Sequence, residues 1–116
     1  MFTVFGFLAK RDEISMQEFI DYYENKHIPL ILTLAPSPLV YKRRYLKRNE
    51  ELTGGGNMVD YDVMTELGFA DEESFAAWMG KILEPGIAEQ VAEDEARFLE
   101  RSRTRAYVVR EYATAG

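Results

Sequence analysis

His27 is the only histidine of the chain. Histidine is the side chain whose ordinary titration range spans neutrality, so it is the natural proton carrier in this sequence. It closes the stretch SMQEFIDYYENKHIP, residues 15–29. In a helix turning by about 100° per residue, Met16, Phe19, Ile20, Tyr23 and His27 share one apolar stripe, which aims the imidazole inward. A second polar intruder stands later in the chain. Ile87, Val91, Asp94 and Phe98 form one helical face, and an acid among apolar positions needs a partner or stays protonated. Two readings of Asp94 stand: a structural acid, bonded to backbone or to one of Arg97, Arg101, Arg103 and Arg105, or a pocket residue. His27 likewise reads either as a core or helix-end residue or as a general base.

Other chemistries are excluded or lack support. The 116 residues contain no cysteine, which removes disulfides, thiolate metal sites and cysteine nucleophiles. A solitary histidine is a poor basis for a zinc or haem site, so no metal is expected. The Gly54-Gly55-Gly56 run lacks the lysine and spacing of a phosphate-binding loop. No cofactor motif is present, and none is expected to bind. The net charge of −6 argues against a nucleic-acid partner. No stretch approaches the roughly 20 apolar residues of a membrane span, and the N-terminal MFTVFGFLAKRDE has no basic leader, so a cytoplasmic location is expected. Five basic residues crowd into seven positions, Lys42, Arg43, Arg44, Lys47 and Arg48. They suit an edge strand guarded against aggregation, or one or two of them hold an anionic ligand.

The elements that must position these residues follow from patterning. Phe2 to Ala9 is apolar on both alternating faces, a strand at the middle of a sheet. Ser15 and Glu18 have the spacing of a capping box, so the first helix begins there. Pro29 predicts its end near His27, with a further turn over Leu30 to Leu34 before Pro36 and Pro38. Strands are predicted over Leu39–Arg48, Tyr61–Phe69 and Thr104–Tyr112, with residues 49–58 as a hairpin connection. Asp71 caps a helix whose core stripe is Phe75, Trp78, Met79 and Ile82, and Pro85 opens another helical segment as its first residue. The order is βαββαβ, an α+β ferredoxin-like plan. Residues 1–116 are read as one domain, a four-stranded antiparallel sheet with helices on one face. Strands that offer apolar residues to both sides leave one sheet face bare, which predicts a symmetric homodimer packed sheet to sheet.

Taken together, the motifs resemble the EthD family. They are Lys10-Arg11, then Phe19-x-x-Tyr22-Tyr23-x-x-x-His27-x-Pro29, then Tyr41 with its basic neighbours. Tyr61-Asp62-x-x-x-Glu66-x-x-Phe69 and Glu93-Asp94-Glu95-Ala96-x-Phe98 complete the set. The resemblance runs in order over most of the chain and implies a dimeric α+β barrel of ferredoxin-like subunits. It implies functional positions at His27, Tyr41 and Asp62. Many relatives carry histidine where this chain has Tyr45, which leaves one titratable base where they have two. The activities it implies are decarboxylation, dehydration or isomerisation of aromatic, polyketide-like or lactone substrates without metal or organic cofactor. Cofactor-free monooxygenases of aromatic polyketides also occur among related barrels.

The residues support such chemistry as follows. His27 would serve as general base. Tyr41 and Tyr45, on one strand face, would donate hydrogen bonds to an enolate or phenolate oxygen. Asp62 or Asp94 would orient the imidazole. Tyr23, Phe75, Trp78 and Phe98 would supply aromatic walls for a small hydrophobic or aromatic molecule. The reading from sequence is a small lyase or isomerase. A monooxygenase and a non-catalytic carrier of a small molecule are the alternatives.

Overall fold

The computed structural model describes residues 1–56 and 58–116. Residue 57 belongs to the predicted connection 49–58 and lies outside the described residues. Along the chain come β1 (Phe2–Leu8), α1 (Met16–Tyr22), a π-helical turn (Tyr23–His27), α2 (Ile28–Leu34), β2 (Val40–Tyr45) and β3 (Val63–Phe69). They are followed by α3 (Glu72–Ile82), α4 (Ile87–Glu95), a short 3₁₀ turn (Arg101–Arg103) and β4 (Arg105–Val108). The four strands form one sheet in the order β2-β3-β1-β4, antiparallel at every pairing. This is the ferredoxin-like α+β arrangement, and β1 lies inside the sheet as its two apolar faces require.

Register sorts the strands' side chains. Val4 stands opposite Leu67 and Val108, while Phe5 stands opposite Glu66 and Tyr107. Val4, Val63, Thr65 and Phe69 are buried beneath the helices. The opposite face carries Phe5, Phe7 and Tyr107, with Phe7 and Tyr107 ring centroids 6.1 Å apart, and no helix among the described residues covers it. The core knits the first helix to the sheet and to the turn after α4 through Phe19, Tyr23, Ile28, Val63, Phe98 and Leu99.

The capping box forms as spaced: Glu18 N–H donates to Ser15 Oγ at 3.1 Å, and Ser15 N–H to Glu18 Oε1 at 2.9 Å. Asp71 caps α3 by accepting from Ser74 N–H at 2.8 Å. Pro29, however, does not end the first helix. Residues 16–34 run on without a break, because the turn ahead of Pro29 is π-helical, with Ile28 N–H bonded to Tyr23 C=O. An α-helical proline strikes the carbonyl four residues back and leaves one carbonyl unpaired. Widening that turn by a residue relieves the clash and places Pro29 in the first turn of α2.

Other boundaries are tighter than the patterning implied. β2 ends at Tyr45, with one further backbone bond from Leu46 N–H to Asp62 C=O at 2.9 Å; beyond it the Arg48 guanidinium donates to the carbonyls of Tyr61 at 2.7 Å and Val59 at 2.9 Å. β4 stops at Val108, with one further bond from Val109 N–H to Thr3 C=O. Pro85 lies before α4, whose N-cap is Gly86 at φ 91°, a left-handed value that suits glycine. The Phe75–Trp78–Met79–Ile82 stripe is half-buried, since α3 covers only the end of the sheet, where Phe75 meets Phe2 and Phe69 at 5.1 and 5.3 Å.

Candidate functional site

The π turn sets the site. His27 is its last residue and is 6% exposed. Its Nδ1 lies 2.8 Å from Asp94 Oδ2 on α4, and Asp94 Oδ1 accepts a hydrogen bond from the Tyr22 hydroxyl at 2.6 Å. Residues five apart point about 140° away from each other round a regular α-helix. The widened turn brings Tyr22 and His27 onto the same carboxylate. That carboxylate accepts the Tyr22 hydroxyl proton and faces a ring nitrogen, so Nδ1 carries the hydrogen in the pair. In the neutral ring this leaves the lone pair on Nε2. The imidazole is walled by Phe98, 4.9 Å between centroids, and by the edge of Tyr23 at 5.6 Å.

Sheet residues close in from the other side. The Tyr23 hydroxyl and Thr65 Oγ1 on β3 are 2.6 Å apart, and burial pushes the Tyr23 phenol well above its ordinary range. Burial pushes the Tyr41 phenol up to about 12, against the neighbouring Tyr23 hydroxyl and Arg43, which favour the phenolate. Tyr45 is pushed up further, first by burial and then by its bond to the Glu24 carboxylate at 2.5 Å. Tyr22 rises to about 12 for the same two reasons, its acceptor being Asp94. All four phenols therefore keep their protons at neutral pH, and those of Tyr22 and Tyr45 donate to carboxylates. Glu95, next to Asp94, is pushed above the usual carboxylate range by burial, with His27 and Arg101 partly offsetting it; Arg101 Nε stands 3.5 Å from it.

His27, Tyr23, Asp94 and Phe98 are thus brought together, and Tyr41 and Tyr45 lie beside them, the Tyr45 ring 6.1 Å from that of Tyr23. Asp62 and Trp78 are placed elsewhere. Asp62 Oδ2 accepts from Lys10 N–H at 2.8 Å and its Oδ1 lies 3.6 Å from Arg48 Nε. It ties the end of β1 to the β2–β3 connection, and the carboxylate on the imidazole is Asp94. Trp78 packs on Phe69 at 5.6 Å and lines an apolar pocket of about 320 Å³ with Pro36, Leu39 and Ala77. Phe75 belongs to that same end of the sheet.

Four participants escape sequence reasoning. Tyr22 stands off the apolar stripe that ends at His27, and it is the π turn that brings His27 round to the carboxylate Tyr22 meets; Glu24 lies within that turn. Thr65 is one polar residue on an alternating strand, with nothing to mark it. Glu95 is hidden in an acidic run, and only its neighbour Asp94 breaks the apolar stripe. Among the described residues no cluster of three histidine, cysteine, aspartate or glutamate side chains is placed to hold a metal ion. No helix among the described residues is long and apolar enough to cross a membrane.

A family model described as EthD domain matches residues 11–102. Among curated proteins none matches this sequence. Solved structures with the same fold include an ethyl tert-butyl ether degradation (EthD) family protein from Bacillus halodurans C-125. It is 19% identical with a TM-score of 0.64, over 97% of this chain and 100% of that one. A hydroxynitrile lyase from Passiflora edulis is 14% identical with a TM-score of 0.59, over 97% and 96% of the two chains. A dimeric ferredoxin-like protein of unknown function from Thermobifida fusca YX is 14% identical with a TM-score of 0.53, over 93% and 88%. At these identities the likeness shows a shared fold.

Proposed function

The chain belongs to the EthD family, and from that premise we propose that it is a small enzyme that moves a proton on an aromatic, polyketide-like or lactone substrate, with His27 as general base. The observation that carries this reading is the Asp94 carboxylate, which accepts from Tyr22 and fixes the imidazole by Nδ1. A ring so held presents Nε2 as the basic nitrogen and gains an anionic partner when it becomes imidazolium.

In the proposed reaction Nε2 takes a proton from a carbon beside a carbonyl, and the electron pair moves onto the carbonyl oxygen. The Tyr41 hydroxyl donates to that enolate oxygen, the Tyr45 proton being held by Glu24. The imidazolium then returns the proton to another carbon, giving isomerisation, or to a departing hydroxyl, giving dehydration. In a decarboxylation Nε2 first takes the proton of the carboxylic acid, carbon dioxide departs, the carbon–carbon electron pair becomes the enolate, and the imidazolium returns that proton to carbon. The likeness to a hydroxynitrile lyase supports a lyase-type reaction on this fold. A binding-only role is the second reading, favoured by the burial of His27 between two rings.

The bare sheet face is proposed to pack against a second copy. The support is its ring cluster of Phe5, Phe7 and Tyr107 and a structural neighbour described as dimeric.

The test is a screen of lactones, β-keto acids and anthrones, scored both by product and by the NMR signal of the single imidazole. His27→Gln is expected to lose turnover on any substrate found while its fold persists. Full turnover by folded His27→Gln sinks the reading. Saturable shifts of the imidazole with no product from any compound favour the binding role.

A further inference from the structure

The basic run on and after β2 sorts itself by face. Arg44 points to the bare side, where its Nη1 meets Glu66 Oε1 at 2.9 Å, and Lys42, two residues earlier on the strand, shares that face. Lys47 is exposed beside Glu50, and Arg48 is held on carbonyls. Arg43 instead faces the helices, between Tyr41 and Tyr45, and it is only 23% exposed. Its guanidinium lies 5.3 Å from the centre of the Tyr41 ring and donates by Nη1 to the Tyr41 carbonyl at 2.8 Å. Both contacts hold the fork in place whatever its other donors meet.

Those other donors converge on one carboxylate. Arg43 Nε donates to Glu24 Oε2 at 2.9 Å and Nη2 to Glu24 Oε1 at 2.5 Å. The Tyr45 hydroxyl also donates to Oε2, at 2.5 Å. This is the two-pronged grip by which arginine recognises a carboxylate, with a phenol as third donor. Glu24 stands in the same π turn as His27, and the Tyr23 ring links the two places, 6.1 Å from the Tyr45 ring and 5.6 Å from the imidazole. The Glu24 side chain is 30% exposed and has water to turn into, whereas Arg43 is pinned.

We propose that Arg43 and Tyr45 form a carboxylate-recognition subsite, that Glu24 occupies it in the free protein, and that the substrate therefore carries a carboxylate that displaces Glu24. This rests on the reading of the His27 cluster as the substrate site and narrows its substrate to an aromatic or lactone acid. Exchange of one carboxylate for another keeps the guanidinium paired throughout, so no unpaired charge is left in a half-buried place. It also returns the Glu24 carboxylate to solvent. A neutral ligand gains nothing from the fork and does not compete for it.

Benzoate and benzamide, equal in shape and different in charge, are the probes. Each is titrated into the protein and followed by calorimetry and by the His27 imidazole signal. Wild type is expected to bind benzoate at least about tenfold more tightly than benzamide, with the gap closing as salt rises. Glu24→Gln removes the charge of the internal competitor and tightens benzoate several-fold with benzamide unchanged. Arg43→Gln abolishes the preference. Arg43→Lys keeps the charge without the fork and retains part of it, and it stands in if Arg43→Gln does not fold. Equal affinities in wild type, or an undiminished preference in the Arg43 variants, overturn the subsite while leaving the His27 reading intact. Binding of neither probe near His27 overturns that reading, and this inference with it.

Discussion

Asp94→Asn tests the site at its hinge. The amide is isosteric with the carboxylate but has one oxygen where Asp94 has two. In the protein both oxygens are engaged, Oδ2 by His27 Nδ1 and Oδ1 by the Tyr22 hydroxyl. The asparagine oxygen serves one partner, and its NH₂ is left facing the other. If the oxygen stays on Tyr22, the amide donates to Nδ1 and forces the imidazole hydrogen onto Nε2, the nitrogen proposed as base. If the oxygen turns to His27, the Tyr22 hydroxyl loses its acceptor in a site that is partly buried.

Each arrangement also loses a charge-assisted hydrogen bond of about 1.5–3 kcal/mol, in a pair whose side chains are 7% and 14% exposed. Converted at 1.4 kcal/mol per tenfold, that is a loss of roughly 10- to 150-fold in turnover if Asp94 acts through His27. The assay needs no assignment, because one histidine gives one pair of imidazole nitrogens in a ¹⁵N spectrum. The wild-type ring is expected with its hydrogen on Nδ1, and the variant with the tautomer reversed or mixed. Tyr22→Phe separates the two halves of the network: it removes one donor and leaves the Nδ1 bond, so the tautomer should hold while stability falls by about 1 kcal/mol. A wild-type ring with its hydrogen on Nε2, or an Asp94→Asn protein unchanged in both tautomer and turnover, refutes the reasoning.

Ser15→Ala removes the reciprocal cap of α1 and should cost about 1 kcal/mol of stability, a fall of about 4 °C in melting temperature, with ligand binding unaffected. Phe7→Glu puts a charge into the ring cluster of the bare sheet face and should turn a dimer into a monomer in sedimentation equilibrium; a wild-type monomer at micromolar concentration removes the interface itself. Glu95 and Glu24 should give opposite pH signatures in denaturation. The native carboxyl of Glu95 is raised, so its contribution is fully present below the ordinary glutamate range and is lost as pH rises through the raised value. Glu95→Gln should therefore gain on wild type at neutral pH and lose that gain in acid. The native carboxyl of Glu24 is lowered, chiefly by Arg43, so its contribution is present above the ordinary range and disappears as pH falls through the lowered value. Glu24→Gln should cost stability at neutral pH and nothing in strong acid. Matching profiles for the two variants would contradict the assigned environments.

The fold was legible because its signals are local and repeated. Alternation marks β1 and β3, Ser15 with Glu18 marks the start of α1, and Asp71 marks that of α3. The site was legible only where a polar residue breaks an apolar pattern, which is how His27 and Asp94 stand out 67 residues apart. What failed is what depends on the exact pitch of the helix. A constant turn per residue places Tyr22 and Glu24 on the outside and makes Pro29 a terminator. The π turn changes this, because one added residue per turn swings the following His27 round to the side of Tyr22 and spares the proline its clash. Asp62 misleads for a related reason. An acid at a strand end has a backbone N–H to hold as readily as an imidazole, and Asp62 holds that of Lys10 at 2.8 Å. The same local departure from α-helical pitch that hides the site from the sequence is therefore what assembles it: with a regular turn, the partner of Asp94 would be Tyr22 or His27, and not both.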